Sequence, residues 1–162
     1  MFADRPPAPV SPLGIATVLA TVAVDQAAKV IAEATLAYAE PVDLLPILTL
    51  YRVNNPGIAF SLLAGLGGLG LILMTLAIAT AVLFFWWRAE EGGKLAAVGY
   101  GLILGGALGN LIDRFTRGEV VDFLLLHFGG WTLFVFNLAD AALTVGPVLL
   151  VLVYAWPRRR EA

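Results

Sequence analysis

Cysteine is absent from the 162 residues, and histidine occurs once, at His127. Without cysteine there is no disulfide frame, thiol nucleophile, thiolate metal site or cysteine acceptor for lipid. A single imidazole makes a histidine-based zinc site or a Ser-His-Asp triad improbable. Charge is also scarce: 14% of residues are Asp, Glu, Lys or Arg, against about 25% in a soluble domain. A formal net charge of −2 lacks the basic footprint of a nucleic-acid binder, so no nucleic-acid partner is expected. What is present is apolar, 60% of the chain. A soluble domain of this length cannot hide so much apolar surface, and the same composition excludes disorder and collagen. The sequence describes a small membrane protein of one domain, residues 1–162.

Charge-free stretches locate the spans, because a transmembrane helix needs about 20 mostly apolar residues. No charged residue occurs from Val53 to Trp87, from Leu95 to Ile112, or from Ala141 to Pro157. The stretch from Leu13 to Leu36 is equally apolar apart from Asp25, Lys29 and Glu33. Four helices are predicted, over residues 13–35, 68–88, 94–113 and 139–157. The Pro-rich start, residues 1–12, reads as a flexible tail ending at Pro12, where a helix can begin. The first apolar run is too long for a cleavable signal peptide and is expected to stay as the first helix. With the N-terminus inside, Arg5, Arg88, Lys94 and Arg158 to Arg160 fall on one side, against Arg52, Arg114 and Arg117 on the other. The excess of Lys and Arg marks the cytoplasmic side, so both termini are predicted there, with 158–162 as a short cytoplasmic tail.

Two connecting segments then face outward. Residues 37–67 contain a β-like run from Ile47 to Val53, and residues 114–138 hold β-branched and aromatic runs split by Gly129 and Gly130. Both read as short strands or half-buried pieces at the outer interface, where Trp131, Phe134 and Phe136 fit an aromatic belt.

Polar residues at membrane depth cost several kcal/mol unless paired or turned inward, so they are the informative ones. Asp25 and Lys29 are four apart and share a helix face, with Glu33 further along the stripe. Counted from Leu13, Lys29 lies roughly 24 Å along the helix, near the outer boundary. Asn54-Asn55-Pro56-Gly57 marks a specific turn before the second helix. Gly101, Gly105, Gly106 and Gly109 allow close helix contact, and Asn110, Asp113 and Arg114 follow at the outer end. A guanidinium there, Arg114, suits a lipid phosphate. Asp122 lies between Val121 and Phe123, and Asp140 stands where the fourth helix begins, with Asn137 as a possible cap. His127 reads as a loop or interface residue.

Carboxylates at the outer ends of neighbouring segments match the needs of an aspartic-protease dyad. Held together they cannot both ionise cheaply, so they share a proton: one takes a proton from water while the other polarises a carbonyl. Spacing alone leaves Asp113 as open a choice as Asp122 or Asp140. The same charges also permit a small transporter or channel lined by Asp25, Lys29, Asp113 and Asp140. A scaffold assembled through the helix glycines leaves the carboxylates unexplained.

The succession DQAAK, NPGIAF, GALGNLIDR, VVDF and FNLAD resembles the bacterial lipoprotein signal peptidase family, also called signal peptidase II, over residues 13–157. The resemblance implies a mainly α membrane protein: four transmembrane helices, an extracytoplasmic β-cradle in 37–67 and a second extracytoplasmic loop or helix in 114–138. It implies an aspartic endopeptidase of the bacterial inner membrane that removes signal peptides from diacylglyceryl-modified prolipoproteins, N-terminal to the lipid-modified cysteine. No cofactor or metal is implied; membrane lipids are partners, and a monomer is expected. The catalytic pair is implied at Asp122 and Asp140. Supporting roles fall to Asp25, Lys29, Asn55, Gly57, Asn110, Asp113, Arg114 and Asn137, with Arg114 as the lipid-phosphate partner and the two later asparagines orienting dyad and substrate. Ile58, where Ala is usual, and Ala141, where Ser is common, depart from the pattern. Neither removes a catalytic group, and Ile58 is expected to narrow the pocket.

Overall fold

Pro12 opens the first helix because its fixed φ suits a first turn and its missing N–H would be unpaired there anyway. Ser11 caps it, its hydroxyl accepting the Gly14 N–H at 3.1 Å. Helix α1 then runs Pro12–Thr35. The computed structural model describes residues 4–57 and 67–155. Strands β1 (Val42–Leu45) and β2 (Leu48–Asn55) follow, then α2 (Gly67–Arg88), α3 (Gly93–Arg117), β3 (Val120–Phe128), β4 (Trp131–Phe136) and α4 (Leu138–Ala155). All four helices are long and apolar enough to cross a membrane. The expected spans agree within a few residues, except that α3 continues one turn past Asp113. Ile58, Arg158 to Arg160 and the 158–162 tail lie outside the described residues.

α3 is the central helix: 67% of its membrane-length window is buried, against 6–22% in the other three. Its glycines make this possible. A Cβ on Gly106 would stand 2.5 Å from the Ala139 carbonyl oxygen of α4, and one on Gly109 would stand 2.6 Å from Asp25 Oδ2 of α1. Gly101 and Gly105 meet Thr17 and Thr21 of α1 in the same way. The spacing of four that marked a close-contact face therefore does seat α1 against α3. Gly109→Ala is accordingly expected to push Asp25 out of place. Thermal unfolding in detergent should occur at lower temperature, whereas Ala at the open, lipid-length surface position Leu108 should leave it nearly unchanged.

The four strands form one antiparallel sheet in chain order. Val53 pairs with Asp122 across β2 and β3, with a bulge between Leu50 and Val53. β3 and β4 form a hairpin closed at Gly129, whose φ of +57° is the left-handed conformation glycine tolerates best. This agrees with the short strands read from the residues of 114–138 and differs from the loop or helix that the resemblance implied there. Residues 114–117 complete α3, and none of residues 118–137 is helical. The reason is local: Val120 to Phe128 and Trp131 to Phe136 are rich in β-branched and aromatic residues, and the β2 edge offers their backbone a partner. The strands of both connecting segments thus build one cradle at the end of the bundle.

The opposite end is closed by Trp86, Ala96, Ala97, Tyr100, Leu104 and Val153, with Trp86 stacked on Tyr100 at 5.7 Å. The N-terminal tail, expected to be flexible, makes specific contacts here in its described part. Arg5 donates to the Trp87 carbonyl at 3.1 Å, and the Pro7 carbonyl accepts the Trp86 indole N–H at 2.9 Å.

Candidate active site

The polar residues gather where α1, α3 and the start of α4 meet beneath β3. Lys29 is fully buried and uses all three ammonium hydrogens: Asp25 Oδ2 at 2.9 Å, Asp113 Oδ2 at 2.8 Å and Asn110 Oδ1 at 3.0 Å. Both of these carboxylates are themselves fully buried. Such a group resists solvation by lipid, so the three charges stay together or the bundle end does not close. Asp25 also reaches α4, where Oδ1 accepts the Ala139 N–H at 2.8 Å. It thereby satisfies one of the donors that a helix start leaves without an intrahelical partner.

Asn137 is the N-cap of α4. Its Oδ1 accepts the Asp140 N–H at 3.0 Å, and Asp140 Oδ2 accepts the Asn137 N–H at 3.3 Å, a reciprocal capping box. The same Asn137 side chain donates through Nδ2 to Asp122 Oδ1 at 2.7 Å. One asparagine therefore touches both Asp122 on β3 and Asp140 on α4. A second, Asn110, donates to Asp140 Oδ1 at 2.8 Å and accepts from Asn137 Nδ2 at 3.2 Å. Asp122 Oδ2 accepts from Asn55 Nδ2 at 2.9 Å. Asn55 is held by the following turn, where its Oδ1 accepts the Gly57 N–H at 2.9 Å. Gly57 has φ +98°, and a Cβ there would collide with the Leu71 side chain. The turn therefore requires glycine on two counts.

Burial pushes the Asp122 carboxyl up to about 6, and the neighbouring Asp140 charge adds to the rise. The amides of Asn55 and Asn137 and the charge of Lys29 act the other way. Burial is the larger cause, so the rise belongs first to the apolar setting of Asp122 and only second to the nearby carboxylate. Arg114 is half-buried and feels the charges of Asp140, Asp122 and Asp113, while its guanidinium donates weakly to the Asn110 carbonyl at 3.4 Å.

The structure brings Asp25, Lys29, Asn55, Asn110, Asp113, Asp122, Asn137 and Asp140 into one hydrogen-bonded network. Arg114 joins through its charge and Gly57 through its turn. Three residues outside that set belong to the network as well. Gln26 Nε2 bridges Asp25 Oδ2, the Gly109 carbonyl and Asp113 Oδ1. Arg117 binds both Asp113 and Glu33. The sequence signal for Arg117 was its i,i+4 relation to Asp113, and that for Gln26 its place beside Asp25. Glu33 lies at the surface and does not continue the buried face of Asp25 and Lys29. His127 lies on β3, with its Nε2 at 3.0 Å from the Thr49 hydroxyl, which in turn donates to Asp43 at 3.1 Å. These three stitch the cradle.

This arrangement is a bundle of four membrane-length apolar helices with carboxylates and amides gathered at one end. The sequence profile of signal peptidase (SPase) II matches residues 17–156. A lipoprotein signal peptidase of Brucella ovis is 46% identical over 145 residues, 88% of this chain and 91% of the relative. Two solved bacterial membrane enzymes, both obtained by the in meso method, share the fold. One, at 1.9 Å resolution, has a TM-score of 0.81 and 28% identity over 95% of this chain and 99% of that one. The other, at 2.3 Å, has a TM-score of 0.79 and 29% identity over 91% and 93%. The chain belongs to the signal peptidase II family of aspartic endopeptidases, and is a multi-pass membrane protease.

Proposed function

We propose that Asp122 and Asp140 form the catalytic pair with which this protease removes signal peptides from prolipoproteins, cutting N-terminal to a diacylglyceryl-modified cysteine. The observation that carries the assignment is Asn137, which donates to Asp122 while capping the helix that begins at Asp140. Asp113, the other candidate from spacing, is engaged by four donors from Lys29, Arg117, Gln26 and the Val121 N–H. It has no capacity left for water or substrate.

In the mechanism, a water between the two carboxyls gives its proton to the ionised member of the pair. Its oxygen attacks the scissile carbonyl, which the protonated member polarises. The tetrahedral intermediate then breaks its C–N bond, and the proton taken from water passes to the leaving amine. Product release leaves the pair with one proton again. Asn110 and Asn137 fix the carboxyls so that little reorganisation accompanies the reaction. Arg114, facing all three carboxylates, is placed for an anionic lipid group at the rim.

The orientation that puts Arg88 and Lys94 in the cytoplasm puts this site at the outer face of the inner membrane, with both termini inside. Leu44, Leu45, Phe128, Trp131, Leu133 and Phe134 are exposed on the sheet, and they suit contact with outer-leaflet lipid. The working unit in this reading is a monomer. The transporter or channel reading lacks support, since the charges sit at one end and the other is closed by the Trp86 cluster. The test is to incubate purified protein with one precursor in diacylglyceryl-modified and unmodified forms and weigh the products. Release of a signal peptide ending just before the cysteine, from the modified form alone, is the expected result. Equal cleavage of both forms would contradict the proposed substrate.

A further inference from the structure

Arg117 is the last residue of α3 and, with Glu33, looks like an ordinary surface pair: their side chains are 29% and 35% exposed. Its other contact is not ordinary. NH1 lies 2.7 Å from Oδ1 of the fully buried Asp113, while NH2 lies 3.0 Å from Glu33 Oε2 on α1. Asp113 in turn uses Oδ2 to accept the Val121 N–H at 3.3 Å. Val121 immediately precedes Asp122. Between Arg117 and β3 the chain turns at Gly118, whose φ of +81° ends the helix. The strand carrying Asp122 is therefore tied back to α3 through Asp113, and Asp113 is aimed by Arg117.

Charge points the same way. Inside the bundle, Asp25 and Asp113 face one buried cation, Lys29. Arg117 is the second cation in contact with that group, and without it the interior next to the dyad carries an unbalanced negative charge. Asp122 faces Asn55 from β2, Asp140 and Asn137 from the start of α4, Lys29 from α1 and Arg114 from α3, while Asp113 reaches it one residue away, through the Val121 N–H. An added negative charge among these groups favours the protonated form of Asp122.

We propose that Arg117, held by Glu33, is a positioning residue for catalysis: through Asp113 it sets the place of Asp122 and balances the charge behind it. This rests on the assignment of Asp122 as a catalytic group. The test measures kcat and KM on a diacylglyceryl-modified precursor, and kcat/KM against pH, for wild type, Arg117→Gln, Arg117→Lys, Glu33→Gln and Asp122→Asn. For Arg117→Gln, kcat should fall about tenfold to a hundredfold with KM changed less than about twofold, the pattern of a misplaced reacting group. The alkaline limb of its pH profile should move to higher pH. Arg117→Lys keeps the charge and should return the limb to its wild-type place with most of kcat. Glu33→Gln should show a smaller fall in kcat of the same kind.

Wild-type kcat and an unmoved limb in Arg117→Gln would overturn the proposal. So would a loss carried by KM alone, or a fall in kcat with an unmoved limb that lysine does not restore, since that is what a mere brace would give. An active Asp122→Asn would overturn the site assignment itself. An inactive Asp122→Asn beside an unaffected Arg117→Gln would overturn only the positioning role.

Discussion

Asp122→Asn and Asp140→Asn each bring cleavage of a lipidated precursor to background, a loss of about 10²–10⁴-fold or more, as removal of a general acid or base does. Each substitution keeps the side-chain shape and removes the ability to hold or give up a proton. Neither is a direct partner of Lys29, Asp140 reaching it only through Asn110, so both variants should insert and accumulate. A local cost is expected at position 140, where Asn110 and the Asn137 N–H donate to the two oxygens, and equally at position 122. Both carboxylate oxygens accept amide N–H groups, from Asn55 and Asn137, and an asparagine must turn its own NH₂ toward one of them. That mismatch is worth about 1–3 kcal/mol and is visible in thermal unfolding, separately from the activity loss. Asp113→Asn behaves differently, because Asp113 binds Lys29 and Arg117 rather than substrate. It loses stability, and the kcat of the folded fraction falls as well, because Asp113 ties back the strand that carries Asp122. Near-normal turnover by either of the other two variants would remove that residue from the pair.

The second large effect is on folding. Lys29→Met leaves Asp25 and Asp113 buried without their shared cation and takes a donor from Asn110. Breaking a buried ionic group by removing one partner costs about 3–5 kcal/mol. Of the network residues, Lys29 contacts both α1 and α3 carboxylates, and Asp25 additionally holds the start of α4. Loss of Lys29 therefore loosens three helices at once. The expected outcome is little folded protein in the membrane and a strongly lowered unfolding temperature for what is recovered. Removing Asp25 as well, in Lys29→Met with Asp25→Asn, should recover part of the loss. An unfolding temperature equal to wild type in Lys29→Met would show that the cluster carries no stability.

Hydropathy placed the four spans well because lipid imposes the same length and apolarity on every crossing segment. The glycines of α3 were legible for a related reason: helices approach so closely only where no Cβ intervenes, and the spacing of four showed which face does so. The polar site was half legible. A lone Asp between Val121 and Phe123 stood out, since such a group is costly in an apolar setting. Its partner could not be chosen between Asp113 and Asp140 from spacing, and the resemblance to signal peptidase II made that choice. Their surroundings differ through long-range pairing: β3 folds back so that the Val121 N–H donates to Asp113 and Asp122 accepts from Asn137, on which the proposed choice rests. The strands in 114–138 were clear from their β-branched and aromatic residues, while the helix implied for that segment was not formed. Their joining with β1 and β2 into one sheet depends on the pairing of Val53 with Asp122, which no local pattern encodes. Glu33 was noticed on the stripe of Asp25 and Lys29, but its link through Arg117 to Asp113 was missed, because half-exposed charges at a helix end look alike whether or not a buried carboxylate lies behind them.

The most direct test of a proton-sharing pair is kcat/KM of the wild-type enzyme against pH, since that quantity reports the groups of the free enzyme. Asp122 is raised to about 6, so it holds its proton below that pH and loses it above. With both carboxyls ionised the pair has no acid left to polarise the carbonyl, and with both protonated it has no base for water. The account predicts a bell-shaped profile whose alkaline limb falls from near pH 6. A profile flat across both limbs would contradict it.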